Sequence, residues 1–214
     1  MLRNSFRLLL ILFFVLPYQS FAQKSWLDST GRKVVSAGFV SGLSLGATAF
    51  LADQAVSEFM GQHQNAFWNH KARITDHFGS KKYVIPANLL LLGTGVVLKD
   101  PTLKSTSWNA FKSMASTAVI TEFLKLSVGR ARPYMEKGAF HFRSFHDNTN
   151  HFKSLPSGHT SLAFAFFTPF AESYSRWLYI VPASVAISRV YQNDHWSSDV
   201  IFGSLIGFLT GYFF

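Results

Sequence analysis

The residues best suited to chemistry fall in three short clusters. In the stretch from Ser188 to Asp199, His195 and Asp199 stand four residues apart. On a helix that spacing is one turn, so the carboxylate can accept a hydrogen bond from one imidazole nitrogen. The tautomer is then held, and the other nitrogen is free to act as a nucleophile. Arg189, six residues before His195, adds a planar fork that matches phosphate oxygens. Taken alone, a His–Asp pair at this spacing is more often structural.

The second cluster runs from Lys125 to Pro133, at the end of an apolar segment. An unpaired ammonium on an apolar helix face is costly and marks a functional position. Lys125 and Arg132 are seven residues apart, nearly two turns, so they can serve one side, and Pro133 ends the helix just before Arg132. Two cations fixed at a helix end make an anion site. Two long side chains reaching for a membrane interface fit the same spacing. In the third cluster, Leu155 to Thr160, Ser157 stands as a helix N-cap, Gly158 allows close backbone approach and His159 falls in the first turn. The free N–H groups and positive dipole end there attract phosphate, although an ordinary helix start looks the same.

These clusters must be positioned by the apolar segments around them, which are Val34–Ala52, Val84–Leu98, Trp108–Leu126, Ser161–Phe170, Trp177–Ile187 and Val200–Phe214. Most are shorter than the roughly 20 residues of an upright membrane span. They are nevertheless rich in the small residues that let membrane helices pack closely. The last one carries Gly203, Gly207 and Gly211 at a four-residue spacing, a flat stripe for close packing. The pattern predicts an all-α protein embedded in a bilayer; a buried helix in a soluble bundle is the competing reading of that stripe. Asp53–Lys82 reads as an amphipathic helix and loop, and Val128–Pro156 as one long loop, of a length usually reserved for function or disorder. At the N-terminus, Arg3 and Arg7, the apolar run Leu8–Leu16, Pro17, and Ser20 with Ala22 have the layout of a signal peptide over residues 1–22. Residues 23–214 then form a single domain.

Composition narrows the partner. Of the residues, 48% are hydrophobic and only 14% charged, which excludes intrinsic disorder. The absence of cysteine excludes disulfides, a thiol nucleophile and thiolate-ligated metals. A net charge of +9 points to an anionic partner. Six Lys or Arg lie within residues 125–153, so the charge gathers around apolar segments rather than along one exposed face, which disfavours nucleic acid.

Together the clusters resemble the three signature motifs of the type 2 phosphatidic acid phosphatase superfamily, namely Lys-x6-Arg-Pro, Pro-Ser-Gly-His and Ser-Arg-x5-His-x3-Asp. Every signature position between Lys125 and Asp199 is filled. The resemblance implies a bundle of about six membrane-embedded helices, with the catalytic motifs at helix ends and in connecting loops. It implies that His195 attacks phosphorus to give a phosphohistidine, Asp199 holds the ring, and His159 protonates the leaving oxygen and then activates water. Lys125, Arg132, Arg189, Ser157 and the Gly158 amide would hold the phosphoryl oxygens, with no metal or other cofactor required. The implied substrate is a phosphorylated anionic lipid. The implied location is the cell membrane, multi-pass, with the site on the outer side.

That topology conflicts with a cleaved signal followed by six spans, which would put the long loop inside. Either the first peptide is retained and one segment does not span, or Val34–Ala52 lies in the interface or is re-entrant. Competing readings are a soluble exported acid phosphatase of the same superfamily, a longer haloperoxidase-type relative, and a non-enzymatic lipid-binding or transport protein. His63, His70 and His77 recur every seven residues and predict one polar helix face rather than a metal stripe. His141, His146 and His151 fall in the long loop, either gathering an anionic headgroup or simply solvated. Nothing in the sequence specifies the oligomeric state.

Overall fold

The computed structural model describes residues 29–145 and 149–214. The expected signal peptide, Met1–Ala22, and His146 lie outside the described residues. Chain contacts divide the protein into residues 1–41 and 42–214. In the first unit the described part is helical, the opening of α1 (Ser29–Gln62).

The second unit carries the rest of α1, then α2 (Ala66–Asp76), α3 (Lys81–Val97), α4 (Pro101–Val128), α5 (Gly158–Ser173), α6 (Ile180–Tyr191) and α7 (Ser197–Phe213). The all-α expectation holds: among the described residues there are seven α-helices, and the one β-like feature is an isolated bridge between Arg130 and Phe142. Each predicted apolar segment after the N-terminus falls within or overlaps a helix. Among the described residues, only Lys33–Gln62, within α1, is long and apolar enough to cross a membrane by length and composition. By contrast α5, α6 and α7 have 16, 12 and 17 residues.

Helix ends follow local chemistry. The Asp100 carboxylate caps α4 by accepting from the Leu103 N–H at 3.0 Å, with Pro101 in the first turn where its missing N–H costs nothing. Gly129 terminates α4 with φ 60°, returning its N–H to the Lys125 carbonyl. A Cβ there would collide with the Arg143 carbonyl as well as strain the backbone.

Helices α4, α5 and α7 pack on one another, with α3 against α4, α6 against α5 and α7, and α2 against α6. An apolar core of Val84, Ala110, Met114, Leu162, Phe166 and Phe170 joins α3, α4 and α5. The α5–α7 contact is made on the predicted glycine stripe. A Cβ on Gly203 would stand 2.7 Å from the Ser157 carbonyl, one on Gly207 would strike the Ser161 carbonyl, and one on Gly211 would stand 2.6 Å from Thr168 Cβ. Hydroxyl pairs tie α4 to both of these helices, Thr117 to Thr210 on α7 at 2.6 Å and Thr121 to Ser161 on α5 at 3.1 Å, as is common where helices pack on small residues.

One expected face is absent. His63 follows the end of α1, His70 lies within α2 and His77 caps α2, so the interruption of the helix between Gln62 and Ala66 removes the common helix face. The Nδ1 atoms of His63 and His77 lie 2.8 Å from the Phe59 and Arg73 carbonyls.

Candidate active site

All three sequence clusters converge at one end of the bundle, because α4 and α6 finish where α5 and α7 begin. Lys125 is in the last turn of α4 and Arg132 in the loop beyond it. Ser157 and His159 open α5, while Arg189 is in the last turn of α6. His195 lies in the α6–α7 turn and Asp199 in the first turn of α7. The backbone ties the starts of α5 and α7 together through a 2.9 Å hydrogen bond from the Ser157 N–H to the Asp199 carbonyl.

His195 and Asp199 face each other, though not as one helical turn. Trp196 is the N-cap of α7, and its backbone N–H donates to Asp199 Oδ2 at 2.9 Å, which leaves His195 outside the helix. The pair is therefore set by a helix cap: His195 Nδ1 stands 3.5 Å from Asp199 Oδ2, long for a hydrogen bond. The other nitrogen, Nε2, faces the Arg132 guanidinium at 3.5 Å. The imidazole is almost wholly buried. Burial pushes its pKa down from 6.5 to about 3; Asp199 opposes the shift, and the Lys125 and Arg132 charges add to it. The ring is accordingly neutral at neutral pH, with a lone pair available.

The cations differ in their pairing. Lys125 Nζ donates to the Lys153 carbonyl at 2.6 Å and lies beside the Gly158 backbone, so ammonium and helix start share a space. Arg132 donates to the carbonyls of Asn150 at 2.9 Å and Asp194 at 3.2 Å. Arg189 is held by two carboxylates, Asp76 at 2.8 Å and Asp194 at 2.6 Å, and its buried Nε has no hydrogen-bond partner among the described residues. Ser157 occupies the predicted N-cap position, but its hydroxyl pairs with the Thr160 hydroxyl at 3.0 Å instead of capping an N–H. His159 is half-buried and lines a cavity of about 790 Å³ with Lys125 and Gly158. Away from those groups the cavity is walled by Ile85, Phe111, Met114, Ala118 and Leu162.

Three residues here escape a reading by motif: Asp53, Asp76 and Arg130. Asp53 and Arg130 are fully buried and ion-paired at 2.7 Å. Arg130 also meets Asp199 at 2.7 Å. A lone acid directly after an apolar segment was the available signal for Asp53. In the long loop, His151 Nδ1 lies 3.3 Å from the Tyr134 hydroxyl, and His141 packs near Phe152. Among the described residues no group of three His, Asp or Glu is arranged to hold a metal ion.

The class is thus an all-helical protein whose helix ends gather a buried histidine, its carboxylate and three cations beside a largely apolar cavity. Residues 106–214 match the PAP2 superfamily, and the chain belongs to that family. It is 30% identical over 154 residues to a lipid A 1-phosphatase of Rhizobium johnstonii, covering 64% of this chain and 63% of that protein. It is 31% identical over 146 residues to a lipid A 1-phosphatase of Rhizobium etli, covering 61% and 62%. The chain thus spans less than two thirds of the length of these relatives. Its fold is similar to the crystal structure of Aquifex aeolicus LpxE, with TM-score 0.60, 18% identity and coverage of 74% of this chain and 92% of that one. It is also similar to that of a transmembrane PAP2-type phosphatidylglycerolphosphate phosphatase from Bacillus subtilis, with TM-score 0.61, 23% identity and coverage of 84% and 92%.

Proposed function

We propose that this protein is a membrane phosphatase that removes a phosphoryl group from an anionic lipid through a phosphohistidine. The observation that carries the reading is the setting of His195: buried, with one nitrogen toward a carboxylate and the other toward a cation. In the first step His195 Nε2 forms a bond to phosphorus while the P–O bond to the lipid breaks, and His159 gives its proton to the leaving oxygen. In the second step water adds to phosphorus, His159 takes its proton, and the N–P bond breaks to release inorganic phosphate and restore His195. Asp199 steadies the ring while it carries positive charge. Lys125, Arg132, Arg189, Ser157 and the amide of Gly158 hold the phosphoryl oxygens, and with three cations and a helix start present we assign no role to a metal.

Two features favour a lipid substrate and a membrane setting. The cavity that begins at Lys125 and His159 continues between apolar walls, which suits a headgroup followed by a chain. Large apolar side chains, among them Leu90, Val97, Leu98, Val119, Trp177 and Ile187, are exposed on α3, α4, the turn before α6 and α6 itself, more than a soluble surface ordinarily shows. We read the bundle as multi-pass with its site on the outer face, and the lipid A 1-phosphatases among its relatives make a lipid A phosphate the first substrate to try. The short α5, α6 and α7 favour one rival, a soluble exported phosphatase; partition into the aqueous phase without detergent decides for it.

The central test is phosphate release from a panel of detergent-dispersed lipid phosphates. His195→Ala is expected to abolish release in a folded protein, and EDTA to leave the wild-type rate unchanged. Turnover retained by His195→Ala overturns the mechanism.

A further inference from the structure

The three-member ion cluster behind Asp199 is more elaborate than helix packing needs. Asp53, on α1, is fully buried and accepts four hydrogen bonds: from Arg130 Nη2 at 2.7 Å, the Ser197 hydroxyl at 2.6 Å, and the Ser198 N–H and hydroxyl at 2.8 and 2.5 Å. Arg130 spends its remaining donors on Asp199 Oδ1 and the Ser198 hydroxyl, each at 2.7 Å, and on the Ala139 carbonyl at 2.9 and 2.7 Å. Its planar group lies 4.4 Å from the Phe50 ring centroid and 5.3 Å from that of Trp196. Asp199 Oδ2 is left to the Ser154 hydroxyl, the Trp196 N–H and, at 3.5 Å, His195 Nδ1.

We propose that Asp53 and Arg130 are positioning residues for the His195–Asp199 pair, with Asp53 acting through Arg130 to orient Asp199 and keep part of its negative charge available to the ring. The inference rests on the phosphohistidine reading above. The guanidinium bridges two carboxylates and fixes the plane of Asp199, so that one oxygen is consumed and the other turns to His195. Charge completes the argument. Two carboxylates share one cation in a dry site, so the cluster carries a net negative charge. When the N–P bond forms, the imidazole gains positive charge, and that charge is stabilised by the excess. Without Asp53, Arg130 and Asp199 neutralise each other and the stabilisation falls. Asp53 lies well before residues 106–214, the stretch that matches the family, so the site extends to a helix outside that match.

The test compares kcat and KM for phosphate release, with thermal midpoints, in three variants: Asp53→Asn, Asp53→Glu and the apolar pair Asp53→Leu with Arg130→Met. Replacing a buried ion pair with apolar groups of similar volume often preserves folding, but here it also takes the cation from Asp199, so the thermal midpoint of the pair is read beside its kcat. We expect kcat to fall about 10–100-fold in Asp53→Asn and in the apolar pair, as for partners one step removed from a reacting group. KM should stay unchanged, and Asp53→Glu should recover part of kcat. A stable apolar pair with wild-type kcat overturns the proposal, as does an activity loss in Asp53→Asn that only follows the folded fraction. If the apolar pair does not fold, Asp53→Asn and Asp53→Glu decide by the same kcat criterion. His195→Ala keeps the two readings apart. Turnover in that variant defeats the nucleophile assignment, whereas an inactive His195→Ala beside a fully active Asp53→Asn defeats only the positioning role.

Discussion

His195 shows how far a single side chain is remade by its surroundings. An imidazole that titrates at 6.5 in the open is pushed down to about 3 by burial. The consequence for stability has a definite sign. Between these values the unfolded chain binds a proton that the folded protein refuses, so stability is lost as pH falls through 6.5 towards 3. The slope from one such group is at most about 1.4 kcal/mol per pH unit. Thermal midpoints measured across that range should fall less steeply in His195→Gln than in the wild type. An unchanged slope would mean the histidine is not the group responsible. Arg189 teaches a related lesson: its spacing suggests a phosphate fork, yet both of its terminal nitrogens already meet carboxylates, those of Asp76 and Asp194. A bound phosphoryl group must share this arginine with them.

At the scale of elements, the glycine stripe of α7 does more than permit close packing. Gly203 sits against the Ser157 carbonyl, so the stripe sets how the start of α5 approaches the start of α7, and hence how Gly158 and His159 approach His195. Gly211 makes an equally tight contact with Thr168, two turns further from the site. Each Gly→Ala change overpacks the interface and is expected to cost about 1–3 kcal/mol, read as a lowered thermal midpoint. Only Gly203→Ala should also lower kcat. Equal kcat losses in Gly203→Ala and Gly211→Ala would separate the stripe from the site.

For the whole molecule, the cavity between α3, α4 and α5 is where the chain of the proposed lipid substrate would lie. Ala118 lines it from an exposed position, so a larger side chain there narrows the groove without disturbing the core. Ala118→Phe should lower kcat/KM for a long-chain lipid phosphate by roughly ten-fold, the scale of a misfitted apolar group. A small water-soluble aryl phosphate should be hydrolysed as before. Equal effects on both would place the lipid chain elsewhere.

Much of this protein is legible in its residues. Apolar runs determine helices locally, because capping and burial act within a turn or two, yet α4 ends at Val128 with Gly129 as its cap, earlier than the end expected just before Arg132 from Pro133. The three clusters, in their order and spacing, select the histidine, its carboxylate and the cations. Other relations exist only once the helices pack. The His195–Asp199 pair is set by a cap at Trp196 rather than by helical periodicity. The histidines at 63, 70 and 77 are divided among elements by a break that no seven-residue repeat reveals. Asp53, Arg130 and Asp199 are joined across 146 positions of chain, from 53 to 199. A charge in an apolar helix signals that a partner is needed, but the partner's identity is a long-range contact. Sequence spacing constrains neighbours along one helix, whereas neighbours on different helices are decided by how the helices pack.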